Sequence, residues 1–251
     1  MSLFWKLCDQ SQAAQRAFSS LAVTCQCEGE EINDNWMSRL TRCEVKGRTY
    51  YVKEYKTRGK NLRRLLGRSR VRAEWENVQL LSHLGIPTLR LVAYGEVNGY
   101  FGRYSGAMVT EEIPDVRDLA EMVEKKEWNI QGKPWIDEVM GKLAMLVRLM
   151  HQKKFVHNDL KWRNILVSPG DKVEVYIIDC PAGRQLNSAF LLPFFERGVI
   201  KDLACLDKVG QHALTRTRRL RFYLRYAGQN KLDLEHKIRI GKILTFFKGR
   251  E

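Results

Sequence analysis

No stretch of this chain of 251 residues approaches the roughly 20 consecutive apolar residues that a membrane-spanning helix needs. The longest apolar run, Ala189 to Phe195, is far shorter and contains Pro193. Met1 to Gln10 hold no apolar core of useful length before meeting Asp9, so no export signal is expected. The expectation is a protein that stays in the cytosol, free or resting on a membrane surface. Cysteine is sparse: Cys8, Cys25, Cys27, Cys43, Cys180 and Cys205. Cys25 and Cys27 form a C-x-C pair, but no second Cys/His pair follows at zinc-site spacing. Reduced thiols fit better than a disulfide framework. Internal repeats and low-complexity linkers are also missing, and 44% hydrophobic residues exclude a disordered chain.

Acidic residues are in deficit. Forty-three basic residues face 29 acidic ones, a net charge of +14 that bears on partners rather than fold. The excess is clustered. Arg58, Lys60, Arg63, Arg64, Arg68, Arg70 and Arg72 run without an acidic residue between them. Arg216, Arg218, Arg219, Arg221 and Arg225 interleave with Leu220, Phe222, Tyr223, Leu224 and Tyr226. Such runs can be a solvated face, can lie on an anionic membrane, or can meet phosphates of a nucleic acid. Charge alone does not separate these.

Element order is more informative. Arg48 to Tyr55 reads as a strand, β-branched and aromatic. Val71, Trp75, Val78, Leu81 and Leu84 recur at helical spacing. Leu89–Gly95 and Ala107–Glu112 read as strands around a glycine-rich hairpin from Asn98 to Gly106. Pro134 to His151 is a long helix, followed by short strands at Ile165–Val167 and Val173–Ile178. The remainder reads as helical and the first forty residues are ambiguous. The expected architecture is α+β and two-lobed. A β-rich nucleotide-binding lobe would span residues 1–112 and a larger helical catalytic lobe residues 113–251.

The sharpest signal is His157-Asn158-Asp159-Leu160-Lys161-Trp162-Arg163-Asn164. Its form, H-x-D-L-K-x-x-N, resembles the protein-kinase catalytic loop. In that reading Asp159 orients the acceptor hydroxyl and takes its proton. Lys161 reaches the transferring phosphoryl group, Asn164 turns an oxygen to Mg²⁺, and His157 braces the loop. Asp179, fifteen residues beyond Asn164 in Asp179-Cys180-Pro181, stands where kinases place a second metal ligand. Lys53 matches the strand lysine that holds the α- and β-phosphates of ATP. Glu74 or Glu76 would pair with it, and counting to Ile86-Pro87 favours Glu74. Backbone groups of Glu111 and Ile113 would bind adenine. No G-x-G-x-x-G precedes Lys53. Asn33 to Arg42, the segment standing where that loop belongs, has no glycine, leaving backbone amides, Ser38 or Arg39 as phosphate contacts.

Longer strings extend the likeness. Tyr50 to Tyr55, Ala73-Glu74-Trp75-Glu76-Asn77, Gly85-Ile86-Pro87, Val92 to Glu96, Val109 to Glu112, Lys201-Asp202-Leu203-Ala204 and Arg219 to Tyr226 follow in order. Together, from about residue 45 to 228, they resemble the bacterial lipopolysaccharide core kinases, the Kdo and heptose kinases of protein-kinase-like fold. The resemblance implies a cytoplasmic, ATP- and Mg²⁺-dependent enzyme of a Gram-negative bacterium. It would be peripheral to the anionic inner membrane and would phosphorylate a sugar hydroxyl of the lipopolysaccharide core precursor. Asp202 resembles the buried kinase aspartate that braces the catalytic loop. Only 23 residues separate it from Asp179, with no A-P-E motif, which argues against a peptide acceptor. Phe190 to Phe195 would pack in the core, or else meet an acyl chain or membrane. His151 reads as a helix-end cap. Trp162 and Arg163 are either sugar contacts or structural groups. Rival readings are a protein kinase, an aminoglycoside- or choline-type phosphotransferase, and a non-catalytic basic pseudokinase on a membrane. Nucleic acid is the weaker partner.

Overall fold

A computed structural model of the chain describes residues 2–58, 67–98 and 104–249. The hairpin tip at 99–103, and Lys60, Arg63 and Arg64 of the first basic cluster, lie outside the described residues. The chain divides into two compact units: residues 1–80 with 89–114, and residues 81–88 with 115–251.

The first unit is a six-stranded antiparallel sheet. Its strands are β1 (Ser2–Leu7), β2 (Glu30–Asp34), β3 (Ser38–Val45), β4 (Arg48–Tyr55), β5 (Arg90–Asn98) and β6 (Tyr104–Glu111), ordered β1-β5-β6-β4-β3-β2. Alternation along β4 explains its layers. Tyr50 and Val52 face a core with Ala14 and Phe18, carried by or capping α1 (Gln12–Ala17). Phe18 meets Tyr50 edge to face at 5.2 Å. Lys53 and Tyr55 point to the opposite face, where α3 (Arg70–His83) lies. Trp75 of α3 packs on Tyr94 of β5, with ring centroids 5.1 Å apart. The ambiguous first forty residues resolve into β1, α1, the short α2 (Leu21–Thr24) and β2.

The second unit is mostly helical. A two-residue strand β7 (Arg117–Asp118) leads into α4 (Leu119–Glu124), whose first amides Asp118 caps. The long helix α5 (Glu127–Gln152) breaks at Gly132, so its regular part starts at Pro134, where proline is tolerated. After β8 (Phe155–Val156) come β9 (Ile165–Val167), β10 (Val175–Ile177) and β11 (Arg184–Gln185). Three helices follow: α6 (Leu192–Ala213), α7 (Arg216–Ala227) and α8 (Leu234–Thr245). Val139, Leu143, Val147 and Met150 of α5, with Leu203 of α6, are core residues. No helix among the described residues is long and apolar enough to cross a membrane.

One expectation needs correction, and one open alternative is decided. The Phe190–Phe195 run does not pack in the core as a block. Phe190, Leu192 and Phe194 are exposed, and only Phe195 of those aromatics is buried. A 3₁₀ turn over Ala189–Leu191 feeds the first turn of α6, so helical periodicity sends one side chain of the run inward. Trp162 is a core residue rather than a sugar contact. It is 2% exposed, donates its indole N–H to the Leu206 carbonyl at 2.7 Å, and packs on Trp128.

All six cysteines are free thiols. Burial pushes Cys25 and Cys43 up to about 12 and Cys205 up to about 11. Thiolate is the reactive form, so these three should resist alkylation at pH 8. Mass spectrometry should find Cys25, Cys43 and Cys205 left unmodified in the native protein and all six modified in urea. Equal native rates at all six would contradict this packing.

Candidate active site

In the second unit, β8 delivers the chain to His157, which is fully buried. The loop that follows hangs on one carboxylate. Asp202, on α6 and 0% exposed, accepts from the His157 amide through Oδ2 and from the Asn158 amide through Oδ1, both at 2.7 Å. These two bonds hold Asn158 in the left-handed region (φ 64°), which Asn tolerates better than most residues. Its side-chain amide donates to the Ala182 carbonyl at 3.1 Å.

His157 closes the loop from the other side. Its Nε2 lies 3.0 Å from the Ile178 carbonyl and must therefore donate, leaving Nδ1 to accept from the Asp159 amide at 3.3 Å. His151 is more than a helix cap. Its Nε2 donates to Asp202 Oδ2 at 3.3 Å, and its Nδ1 accepts from the Tyr226 hydroxyl at 2.9 Å. Burial pushes the Tyr226 phenol above its ordinary range, consistent with a neutral donor.

Asp159 follows this clamp. Lys161 Nζ lies 2.8 Å from its Oδ1, both side chains partly exposed. Asn164 is buried and donates its amide nitrogen to the Asp159 carbonyl at 2.8 Å. That bond fixes the amide, so its oxygen points the other way. Asn164 immediately precedes β9, and the Ile178 amide donates to the Asn164 carbonyl at 3.0 Å. The β9–β10 pairing (Ile165 opposite Ile177) thus brings Asn164 and Asp179 to adjoining strand ends. Asp179 also has positive φ, 55°. Strained backbone of this kind, about 1–3 kcal/mol per residue, persists where surroundings over-determine it. The Asn164 oxygen and the Asp179 carboxylate are hard oxygen donors, the class Mg²⁺ takes. Arg163 is exposed.

In the first unit, Lys53 Nζ meets Glu74 Oε1 at 2.8 Å. Glu74 is 2% exposed and also accepts from the Tyr55 hydroxyl, a partner two residues from Lys53 on the same strand face. Glu76 instead binds Arg68 and Arg72, at 2.9 and 2.7 Å, so part of the first basic cluster is neutralised locally.

The expected adenine-binding segment is anchored. The Glu112 amide donates to the Thr49 carbonyl at 2.9 Å. Its carboxylate takes a two-pronged bond from Arg42, at 2.9 and 3.2 Å, and one from Tyr51. Arg42 holds that carboxyl below its usual range. Glu111, the last residue of β6, pairs with Arg90, and Ile113 lies just past the strand.

The glycine-free segment from Asn33 to Arg42 is a tight hairpin. Asn35 Oδ1 accepts from the Met37 and Ser38 amides at 2.9 and 3.1 Å, turning the chain without glycine. Arg39, an expected phosphate contact, is engaged elsewhere: it binds Glu54 at 2.6 Å and the Cys25 carbonyl at 3.3 Å. Sequence spacing could have flagged Tyr55. The Asn35 turn had a weaker signal, an Asn before a strand, and Tyr226 had none.

Residues 23–190 match the family described as lipopolysaccharide kinase (Kdo/WaaP). Among curated proteins, the chain is 29% identical over 205 residues to lipopolysaccharide core heptose(I) kinase WaaP of Pseudomonas aeruginosa, covering 75% of this chain and 73% of that one. It is 26% identical over 104 residues to 3-deoxy-D-manno-octulosonic acid kinase of Actinobacillus succinogenes, 41% of this chain and 40% of the other. The fold matches a solved structure of WaaP in complex with acyl carrier protein, with a TM-score of 0.74 and 23% identity. That match covers 98% of this chain and 97% of the other.

Replacing Asp202 by Asn leaves one acceptor oxygen where two amides need one each. Urea unfolding should show a loss of about 2–4 kcal/mol. An unchanged unfolding midpoint would remove Asp202 from its bracing role.

Proposed function

The chain belongs to the lipopolysaccharide kinase (Kdo/WaaP) family, and we propose from that membership how its residues carry out ATP-dependent phosphorylation of a lipopolysaccharide core sugar. The observation that carries the assignment of roles is the Asp159–Lys161 pair at 2.8 Å, on a loop clamped by Asp202. Asp159 accepts the proton of the acceptor hydroxyl as that oxygen bonds to the γ-phosphorus of ATP and the bond to ADP breaks. Lys161 offsets charge on the transferring group and keeps the Asp159 carboxylate oriented.

Lys53, aligned by Glu74, holds the α- and β-phosphates. The backbone of Glu111 and Ile113 binds adenine, supported by the ties on Glu112. Asn164 and Asp179 would hold Mg²⁺, which when bound neutralises phosphate charge and fixes phosphate geometry. The acceptor is a heptose or Kdo hydroxyl, the two sugars phosphorylated by the named relatives. We place the enzyme in the cytoplasm, peripheral to the inner membrane. Exposed Phe190, Leu192 and Phe194 beside a strongly basic chain support that placement.

Radiolabelled ATP with truncated lipopolysaccharides ending in Kdo or in heptose tests the reaction. Asp159→Ala should lower turnover about 10²–10⁴-fold while thermal unfolding stays near wild type. Near-wild-type turnover would exclude Asp159 as the base. Asp179→Asn should weaken Mg²⁺-ATP binding by calorimetry, and unchanged affinity would remove it as a metal ligand.

A further inference from the structure

The second basic cluster is not uniform. Arg218 binds Asp137 at 2.8 Å and Arg219 binds Asp207 at 2.7 Å, so these two serve the packing of α7 on α5 and α6. Arg221 and Arg225 remain exposed, and among the described residues neither forms an ion pair. Spacings of three and four residues put Arg218, Arg221 and Arg225 on one face of α7. They line a pocket of about 510 Å³ together with Asp137, whose carboxylate is met by Arg218. Gln229 and Asn230, just past the helix, add side-chain amides to its wall.

Two glycines shape this place. A Cβ built on Gly141 of α5 would lie 1.9 Å from Arg225 Nη1. A Cβ on Gly228, the left-handed cap of α7 (φ 69°), would lie 2.0 Å from Arg148 Nη1. Both guanidinium groups therefore rest where a methyl group would be. Arg148 is half-buried and, among the described residues, has no ion-pair partner.

The geometry points to a second anion site on this chain, apart from the catalytic loop: a pocket on α7 that takes a phosphomonoester. Guanidinium forks match phosphate oxygens in pairs, and a phosphomonoester brings about two negative charges to Arg221 and Arg225, which form no ion pair among the described residues. Gln229 and Asn230 can donate to the remaining oxygen. The group comes either from a lipid headgroup at a bilayer or from a soluble phosphate. This site stands independently of the phosphotransfer reading.

The full chain is tested for flotation with phosphatidylcholine vesicles containing an equal mole fraction of phosphatidic acid, a phosphomonoester, or phosphatidylglycerol, a phosphodiester. Phosphatidic acid should be bound about tenfold more tightly. Gly141→Ala keeps every charge but displaces Arg225, a flexible side-chain end, so the fold should survive. It should abolish the preference for phosphatidic acid and leave binding to phosphatidylglycerol unchanged. The double variant Arg221→Gln, Arg225→Gln should abolish the same preference. Calorimetry with methyl phosphate separates the sources: tight binding in solution assigns a soluble phosphate, whereas preference on vesicles alone assigns a lipid headgroup. Equal binding to both lipids with no methyl phosphate binding, or a preference untouched by Gly141→Ala, would overturn the site. None of these readouts involves phosphotransfer, so failure here and failure of the kinase reading are separate results.

Discussion

One buried carboxylate organises the catalytic unit. Asp202 sits at 0% exposure and receives two consecutive backbone amides, with His151 completing it. Burying a carboxylate costs several kcal/mol unless its oxygens are met. Here both are, by charge-assisted bonds of about 1.5–3 kcal/mol each. The geometry those bonds impose is the turn that presents Asp159. The carboxylate thus repays its own burial and the strain at Asn158 while fixing the direction of the next side chain.

The clamp reaches beyond the loop. Asp202 on α6 can only accept, so it sets the His151 tautomer with Nε2 donating, and Tyr226 on α7 meets the other ring nitrogen of that α5 imidazole. Three helices converge on one loop. The hairpin of β9 and β10 does a parallel service for Asn164 and Asp179, using ladder hydrogen bonds to bring the fourteen intervening residues back on themselves. In the first unit, the pleat of β4 puts Lys53 and Tyr55 on one face, where the buried Glu74 takes both. In each case a regular element does the positioning, and a buried acidic or amide group locks the result.

Local spacing made much of this legible. The H-x-D-L-K-x-x-N string, the strand lysine and the distance to Asp202 carry their geometry in the chain itself. So do the main strands and helices, whose ends shift by a few residues: the strand expected over Val173–Ile178 is Val175–Ile177, and the long helix extends back beyond Pro134 across the break at Gly132. What was not legible depends on distant partners. β1 is an edge strand with exposed Leu3 and Phe4, and its partner β5 lies some ninety residues on, so no alternation marks it. Helices of six and four residues, such as α1 and α2, are too short to show a period. Phe190 and Phe194 read as core because hydrophobicity alone does not give helix phase. The Asn35 turn replaced a glycine loop by side-chain chemistry that a glycine motif cannot register.

Everything described above converges on a chain that places a phosphate on a lipopolysaccharide core sugar. Mass spectrometry of lipopolysaccharide from cells with and without the gene tests it most directly. One phosphate should be missing from a core heptose or Kdo in the deleted strain, restored by the wild-type gene but not by one encoding Asp159→Ala. Identical core phosphorylation in both strains would contradict it.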